Sequence, residues 1–404
     1  MFVWFLTPAL GAESKSHGEP LGSRAEEIAG APGLDPPPHR SSSRPVDFAR
    51  GPEYRVGTPA RRRGLTFRPG TIEVGDMKQQ IRFCATPDGT RIAYATVGQG
   101  VPLVKAANWL SHLEYDWESP LWRHMLEGLA RDYLLVRYDE RGTGLSDREA
   151  KDLSFESWVH DLGAVVDALG LQRFALLGIS QGGPVAITYA GRHPERVSHL
   201  ILYGTYARGR FHRGDGERDV ADALTKLMRK GWGVDNPAFR ELFASFYVPE
   251  GTPEQLRWFS ELERVSASPE TAARIFLEIA DINIVEALPR VEAPTLILHC
   301  RGDRLAPFDL GRELAAMIPG ARFVPLEGNN HLILEDEPAR DVFFREVSEF
   351  LGSGRRRLWA GGTRPHRRFR RVVQSLEANP LYRVLAMAAA LASVVSLLLW
   401  FLTR

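Results

Sequence analysis

Residues 174–184 read FALLGISQGGP, an apolar run that stops at a serine between two glycines. The run predicts a buried strand, a sharp turn and the start of a helix. Gly178 and Gly182 bracket Ser180 in the pattern Gly-x-Ser-x-Gly, which a strained strand-to-helix turn needs because larger neighbouring side chains would clash. Such a turn exposes the serine hydroxyl and aims the backbone N–H of Gln181 at negative charge that develops beside it. The pentapeptide alone is a weak signal, because it often occurs by chance.

An acid and a histidine follow the serine in an informative order. Asp303 comes after an apolar run at residues 293–300, and His331 ends the turn-like stretch at residues 328–331. Both would lie on loops at the same carboxyl edge of a parallel sheet as Ser180. Alone, Asp303 would be an exposed turn acid and His331 a structural histidine. Together with the serine, in the order Ser, Asp, His, they favour a catalytic triad.

Three stretches between residues 80 and 352 resemble the α/β-hydrolase superfamily. They are YDERGTGLSD at residues 138–147, GISQGG at residues 178–183 and RHPERV at residues 192–197. The resemblance implies an α/β-hydrolase fold, with a mostly parallel twisted sheet, flanking helices and an inserted helical cap. It also implies a serine hydrolase in which Ser180 is the nucleophile, His331 the base and Asp303 the acid that orients it.

The oxyanion hole is implied in the same way. Gln181 would supply one backbone N–H, and Trp109, by its position after the strand at residues 101–107, would supply the second. The sequence departs from the superfamily here, because Ala107 and Asn108 stand where relatives commonly carry His-Gly. Nearby, we interpret Asp139 and Arg141 as residues that fix the turn after a strand, rather than as catalytic residues.

Between residues 207 and 289 the strand pattern stops and several segments have helical spacing. An insertion between two consecutive strands is what a cap over an active site requires. Its aromatic residues favour an apolar acyl or alkyl group in a small-molecule ester substrate, although aromatic residues at helical spacing more often serve packing.

The composition restricts the class of protein. The 404 residues include 51 basic and 50 acidic side chains, so no global field favours nucleic acid as a partner. Cys84 and Cys300 lie far apart in apolar stretches, which predicts reduced thiols rather than a disulfide. No clustered ligand pattern indicates a metal, and the chemistry of a serine triad needs no organic cofactor.

The two ends of the chain differ from its centre. Residues 1–76 are rich in Pro, Gly, Ser and Arg, which predicts a disordered extension before a hydrolase domain at residues 77–352. The natural start could be Met1 or Met77, and the apolar first ten residues lack the positive flank of a signal peptide.

A basic linker at residues 353–383 precedes residues 384–402, which carry no charge and are long enough to cross a hydrocarbon core of about 30 Å. We therefore predict a single C-terminal membrane anchor. Because basic residues beside a span stay on the cytoplasmic side, the catalytic domain should face the cytoplasm.

The sequence thus predicts a membrane-tethered serine hydrolase that cleaves a carboxylic ester or related acyl bond through an acyl-enzyme intermediate. The alternative is a non-catalytic ligand-binding or signalling protein at the membrane that uses the same fold, because a fold does not determine a function.

Overall fold

The computed structural model describes residues 77–232 and 237–352, so the predicted N-terminal extension, basic linker and C-terminal span lie outside the described residues. Eight strands form one sheet in the order β1-β2-β4-β3-β5-β6-β7-β8. They are β1 (Gln80–Ala85), β2 (Arg91–Val97), β3 (Pro102–Lys105), β4 (Leu134–Tyr138), β5 (Phe174–Ile179), β6 (Val197–Tyr203), β7 (Thr295–Cys300) and β8 (Arg322–Leu326).

The sheet begins with an antiparallel hairpin and continues as a parallel sheet. Asp88-Gly89 lies in the turn between β1 and β2, as that dipeptide predicts, and β2 pairs antiparallel with β4. All remaining neighbours are parallel. Every residue of β5 is buried. A parallel strand that is covered on both faces has a continuous apolar sequence, as β5 does.

Ten α-helices are described. They are α1 (Leu113–Glu118), α2 (Arg123–Ala130), α3 (Phe155–Ala168), α4 (Gly182–Arg192), α5 (Glu217–Gly231), α6 (Pro237–Tyr247), α7 (Pro253–Ser266), α8 (Pro269–Asp281), α9 (Phe308–Met317) and α10 (Pro338–Phe350). Side-chain caps fix several of their starts: the hydroxyl of Ser154 accepts from the Ser157 N–H, and Thr252 and Gln255 form a capping box. None of the helices in the described ranges is long and apolar enough to cross a membrane.

The helices α5 to α8 lie between β6 and β7, within the stretch predicted as a helical insertion. Helix α8 ends at Asp281, and the 3-10 helix Val285–Arg290 leads into β7. Helices α1, α2 and α9 were not predicted. Within α1, Leu113, Asp116 and Trp117 are buried.

The loop after β4 is held by two charged side chains. Oδ2 of Asp139 accepts from the N–H groups of Leu113 (3.1 Å) and Leu145 (2.8 Å). The Arg141 guanidinium donates two bonds to Asp161, at 2.9 and 2.6 Å, and a third to Asp88 at 2.7 Å. Asp139 and Arg141 therefore fix the turn, as their sequence context predicts.

Both cysteines of the described ranges are free thiols. Cys84 is half-buried in β1, and Cys300 is buried in β7. The two strands lie six positions apart in the sheet.

Candidate active site

Ser180 lies directly between β5 and α4 and has a φ of 50°. It is the one non-glycine residue with positive φ in the described ranges. Its N–H donates to the Tyr203 carbonyl (3.0 Å), and its carbonyl accepts from the Thr205 hydroxyl (2.6 Å). The end of β6 and the residues just after it therefore hold Ser180 in a left-handed conformation, which residues other than glycine rarely adopt.

The motif glycines allow the close packing around Ser180. A Cβ on Gly178 would lie 2.7 Å from the Cα of Gly183, and a Cβ on Gly182 would lie 2.6 Å from the Ala107 carbonyl oxygen. The first turn of α4 thus packs directly on the backbone that follows β3, the loop that carries Trp109. This contact explains why the sequence requires glycine at these positions.

Asp303 and His331 meet above the carboxyl ends of β7 and β8. Nδ1 of His331 lies 2.7 Å from Oδ2 of Asp303, and both side chains are fully buried. The other oxygen of Asp303 accepts from the N–H groups of Leu305 (2.9 Å) and Ala306 (3.0 Å). The carboxylate is thus held in one orientation, with Oδ2 directed at the imidazole.

The backbone of His331 is fixed from two sides. Its N–H donates to the carbonyl of Tyr247 at the end of α6 (2.8 Å), and its carbonyl accepts from the Tyr203 hydroxyl (2.9 Å). Its Nε2 is buried and has no hydrogen-bond partner among the described residues. An imidazole bound to a carboxylate through Nδ1, with Nε2 free, is arranged to take a proton from a hydroxyl.

The position that could hold an alternative triad acid, directly after β6, is occupied by Gly204. A Cβ on Gly204 would lie 3.5 Å from Oδ2 of Asp303 and 3.4 Å from Cε1 of His331. Asp303 is therefore the acid in contact with His331.

A small cavity of about 50 Å³ lies beside Ser180. It is lined by Trp109, Ser180, Gln181, Tyr206, Arg210, Arg213, Tyr247, Phe276, Ile279, Ala280, Leu305 and Ala306. The volume holds a few water molecules, so a larger acyl group requires the surrounding side chains to move. An open groove of about 580 Å³, lined among others by Lys151, Asp222 and Arg274, contains none of the predicted catalytic residues.

The predicted oxyanion donors lie side by side, but one already has a partner. The backbone N–H of Trp109 donates to Oε1 of the Gln181 side chain at 3.0 Å. Nε2 of the same Gln181 amide donates to Oε2 of Glu140 at 2.8 Å. Burial raises the pKa of Glu140 to about 8, and its bond with Gln181 opposes that rise. Sequence reasoning named Gln181 for its backbone alone, and it missed Glu140 within the YDERGTGLSD stretch.

Asn108, the departure from the superfamily pattern, fixes its own turn. Its Nδ2 donates to the Trp109 carbonyl (3.0 Å), and its Oδ1 accepts from the buried ammonium of Lys105. Burial lowers the pKa of Lys105 to about 8, while the nearby Asp116 carboxylate opposes that change. Asn108 has a negative φ, so the backbone here needs no glycine, and side-chain hydrogen bonds fix the turn.

No group of three or more His, Cys, Asp or Glu side chains is arranged to hold a metal ion within residues 77–232 and 237–352.

The alpha/beta hydrolase fold family matches residues 113–338, more than half of the chain. The protein therefore belongs to the alpha/beta hydrolase family, and its mostly parallel eight-stranded sheet with flanking helices is the fold of that family.

Curated relatives and solved structures agree with this assignment. The chain is 29% identical over 257 residues to the AB hydrolase superfamily protein YisY of Bacillus subtilis (62% of this chain, 91% of the relative). It is 25% identical over 280 residues to a non-heme chloroperoxidase of Kitasatospora aureofaciens (66% and 98%). The esterase EaEST of Exiguobacterium antarcticum superposes with a TM-score of 0.57 at 27% identity, covering 67% of this chain and 98% of that one. These similarities support hydrolase chemistry in general, and they do not define a substrate.

Proposed function

We propose that this protein is a serine hydrolase that cleaves a carboxylic ester or related acyl bond through an acyl-enzyme intermediate. The observation that carries the proposal is the 2.7 Å hydrogen bond between His331 and Asp303, which leaves Nε2 of the buried imidazole without a partner among the described residues. Tyr203 connects this pair to the serine, because its carbonyl binds the Ser180 N–H and its hydroxyl binds the His331 carbonyl.

The reaction runs in two halves. The Ser180 oxygen attacks the ester carbonyl carbon while His331 Nε2 takes the hydroxyl proton, and the imidazolium then gives this proton to the departing alcohol. In the second half, a water molecule attacks the acyl carbon and His331 takes its proton. The imidazolium returns that proton to the Ser180 oxygen as the acid leaves. Throughout, Asp303 holds the Nδ1–H and stabilises the imidazolium charge.

The oxyanion would be bound by backbone N–H groups of Gln181 and Trp109. The first belongs to the N-terminal end of α4, whose initial N–H groups have no intrahelical acceptor. The second donates to Gln181 Oε1 in this structure. We infer that the substrate carbonyl oxygen displaces this side-chain oxygen when the negative charge develops.

The residues that line the cavity beside Ser180 favour a small ester with an apolar part as the substrate. Trp109, Phe276 and Ile279 line the cavity beside Ser180, and apolar walls with a few polar groups are typical of small-molecule sites. The similarity to the esterase EaEST supports a carboxylic ester as the substrate class.

The occupied Trp109 N–H favours a second candidate function, a non-catalytic ligand-binding or signalling protein on the same fold. Such a protein would keep the Gln181 contact when its ligand is bound and would not turn over an ester. Turnover by the wild-type protein decides between the two functions.

Asp303→Asn tests the proposed mechanism. The amide keeps the shape of the side chain but favours the wrong imidazole tautomer, so kcat for 4-nitrophenyl acetate should fall by roughly four orders of magnitude. The measurement is steady-state hydrolysis by purified protein with the folded fraction checked by circular dichroism.

Asp139→Asn is the matched control, because Asp139 is also a buried acid after a strand and its carboxylate accepts from the backbone N–H groups of Leu113 and Leu145. It should lower the unfolding free energy by about 1–3 kcal/mol and leave kcat of the folded protein unchanged. If the two variants instead had equal kcat, Asp303 would not be the triad acid.

Gln181→Met tests the displacement at the oxyanion hole. Methionine has a similar length but offers no carbonyl oxygen to the Trp109 N–H, so the substrate oxygen meets no competitor. Because a net hydrogen bond contributes about 1 kcal/mol, kcat/KM for 4-nitrophenyl acetate should rise about fivefold. Glu140→Gln, which retains an acceptor for Gln181 Nε2, should leave the rate unchanged. A fall in kcat/KM for the folded Gln181→Met protein would mean that the amide builds the oxyanion hole rather than covering it.

We also propose that residues 384–402 anchor the protein in a membrane with the hydrolase domain on the cytoplasmic side. The support lies in the sequence, where eight arginines between residues 355 and 371 precede the uncharged stretch. Protease added to spheroplasts should leave the hydrolase domain intact in the membrane fraction until the membrane is opened. Digestion of the hydrolase domain before the membrane is opened would contradict the cytoplasmic orientation. Release of the protein into the soluble fraction without detergent would contradict the membrane anchor.

A further inference from the structure

The cavity beside Ser180 has a cationic side. Arg210 and Arg213 line it, together with Tyr206, and all three belong to the segment that leaves the sheet after β6. The opposite walls are formed by apolar side chains, including Trp109, Phe276 and Ile279. A site that serves a purely apolar ester has no need for charge at this position, because burying a guanidinium costs free energy unless it is paired.

The two arginines differ in how their charge is compensated. Nη1 of Arg210 lies 2.9 Å from Oε2 of Glu217, so Arg210 forms an ion pair within the protein. Arg213 is half-buried, and its Nε donates to the backbone carbonyl of Arg208 at 2.8 Å. Within the described ranges, no carboxylate lies at ion-pair distance from Arg213. Burial lowers the pKa of Arg213, Tyr206 opposes that change, and the neighbouring charge of Arg210 adds to it. The more distant carboxylates of Glu217 and Asp303 also raise this pKa, although neither forms an ion pair with the guanidinium.

The Arg213 guanidinium is also held in place. Its central carbon lies 4.5 Å from the centre of the Tyr206 ring, and the Nε bond to Arg208 fixes the plane of the group. The Nε contact uses one edge of the guanidinium, and its two terminal nitrogens have no hydrogen-bond partner in the part of the chain that the structure describes. A fixed planar fork of this kind matches the two oxygens of a carboxylate.

We propose that Arg213 binds an anionic group of the substrate, a carboxylate, so that the protein hydrolyses esters that carry an apolar part and a negative charge. The proposal rests on the proposed hydrolase function and deepens it. It also changes the substrate expected from the cap aromatics alone, because it adds a charge to an otherwise apolar ester. The apolar part would lie against Trp109, Phe276 and Ile279, and the carboxylate would lie against Arg213.

The test uses two pairs of esters that differ in one group. On the acyl side, 4-nitrophenyl butyrate is compared with 4-nitrophenyl hemisuccinate, in which a carboxylate replaces the terminal methyl group. On the alcohol side, 4-ethylphenyl acetate is compared with 4-acetoxyphenylacetate. Wild type should prefer the charged member of at least one pair.

Arg213→Gln should lower kcat/KM for that preferred ester at least about tenfold, mainly through KM, since a charge-assisted hydrogen bond is lost. The neutral member should change less than twofold. Arg213→Lys keeps the charge but not the planar fork, and it should give an intermediate value. Arg218→Gln is the matched control, because Arg218, in the first turn of α5, also lies over an aromatic ring, that of Phe211, and is not among the residues that line this cavity. It should leave both members unchanged.

Two results would overturn the proposal. One is a wild type that prefers the neutral member of both pairs. The other is an Arg213→Gln variant that loses the same factor on charged and neutral esters, which would make Arg213 a structural support for Tyr206.

A binding measurement separates this proposal from the hydrolase function. Calorimetric titration of the Ser180→Ala protein with monomethyl succinate should give a Kd at least about tenfold lower than in Ser180→Ala/Arg213→Gln, without any turnover. If wild type hydrolyses none of the four esters but this difference is found, the hydrolase function fails and the anion site stands. If wild type hydrolyses the esters and the two Kd values are equal, only the anion site fails.

Discussion

The rest of the site depends on the left-handed backbone of Ser180. A non-glycine residue at a φ of 50° costs about 1–3 kcal/mol, and it persists only where the surroundings fix it. Here the Tyr203 carbonyl at the end of β6 and the Thr205 hydroxyl just after it hold the serine, and the glycines of the motif let α4 approach the loop after β3. Tyr203 also reaches His331, because its hydroxyl donates to the His331 carbonyl. One short segment thus couples the serine to the histidine.

The second feature of the site is a buried polar chain that runs from Glu140 through the Gln181 side chain to the Trp109 N–H. A buried amide is costly unless its donors and acceptors are paired, and this chain pairs both ends of the Gln181 amide. The same chain occupies an N–H group that the reaction would use. In the proposed reaction, the substrate must therefore offer a carbonyl oxygen that binds this N–H better than Gln181 does, as an oxygen with developing negative charge would.

The fold and the pair formed by Asp303 and His331 could be predicted because they follow from local patterns. The Gly-x-Ser-x-Gly motif fixes a turn, and parallel strands bring Asp303 and His331 to one edge of the sheet. Hydrogen bonds between side chains that lie far apart in the sequence leave no such local pattern. Gln181 and Glu140 are 41 positions apart, and nothing in either stretch shows that the amide reaches the Trp109 loop. Arg213 was missed for the same reason, because its position over Tyr206 is set by where the chain turns after β6. Helix α1 escaped prediction since it is only six residues long.

The central claim is that Ser180 is a nucleophile activated by His331. Reaction of the wild-type protein with a fluorophosphonate, followed by mass spectrometry of its peptides, tests this claim most directly. The account predicts one phosphonate adduct, on the peptide that contains Ser180, formed much more slowly when His331 is replaced by alanine. An unlabelled Ser180 in folded protein, or labelling at an equal rate without the histidine, would contradict it.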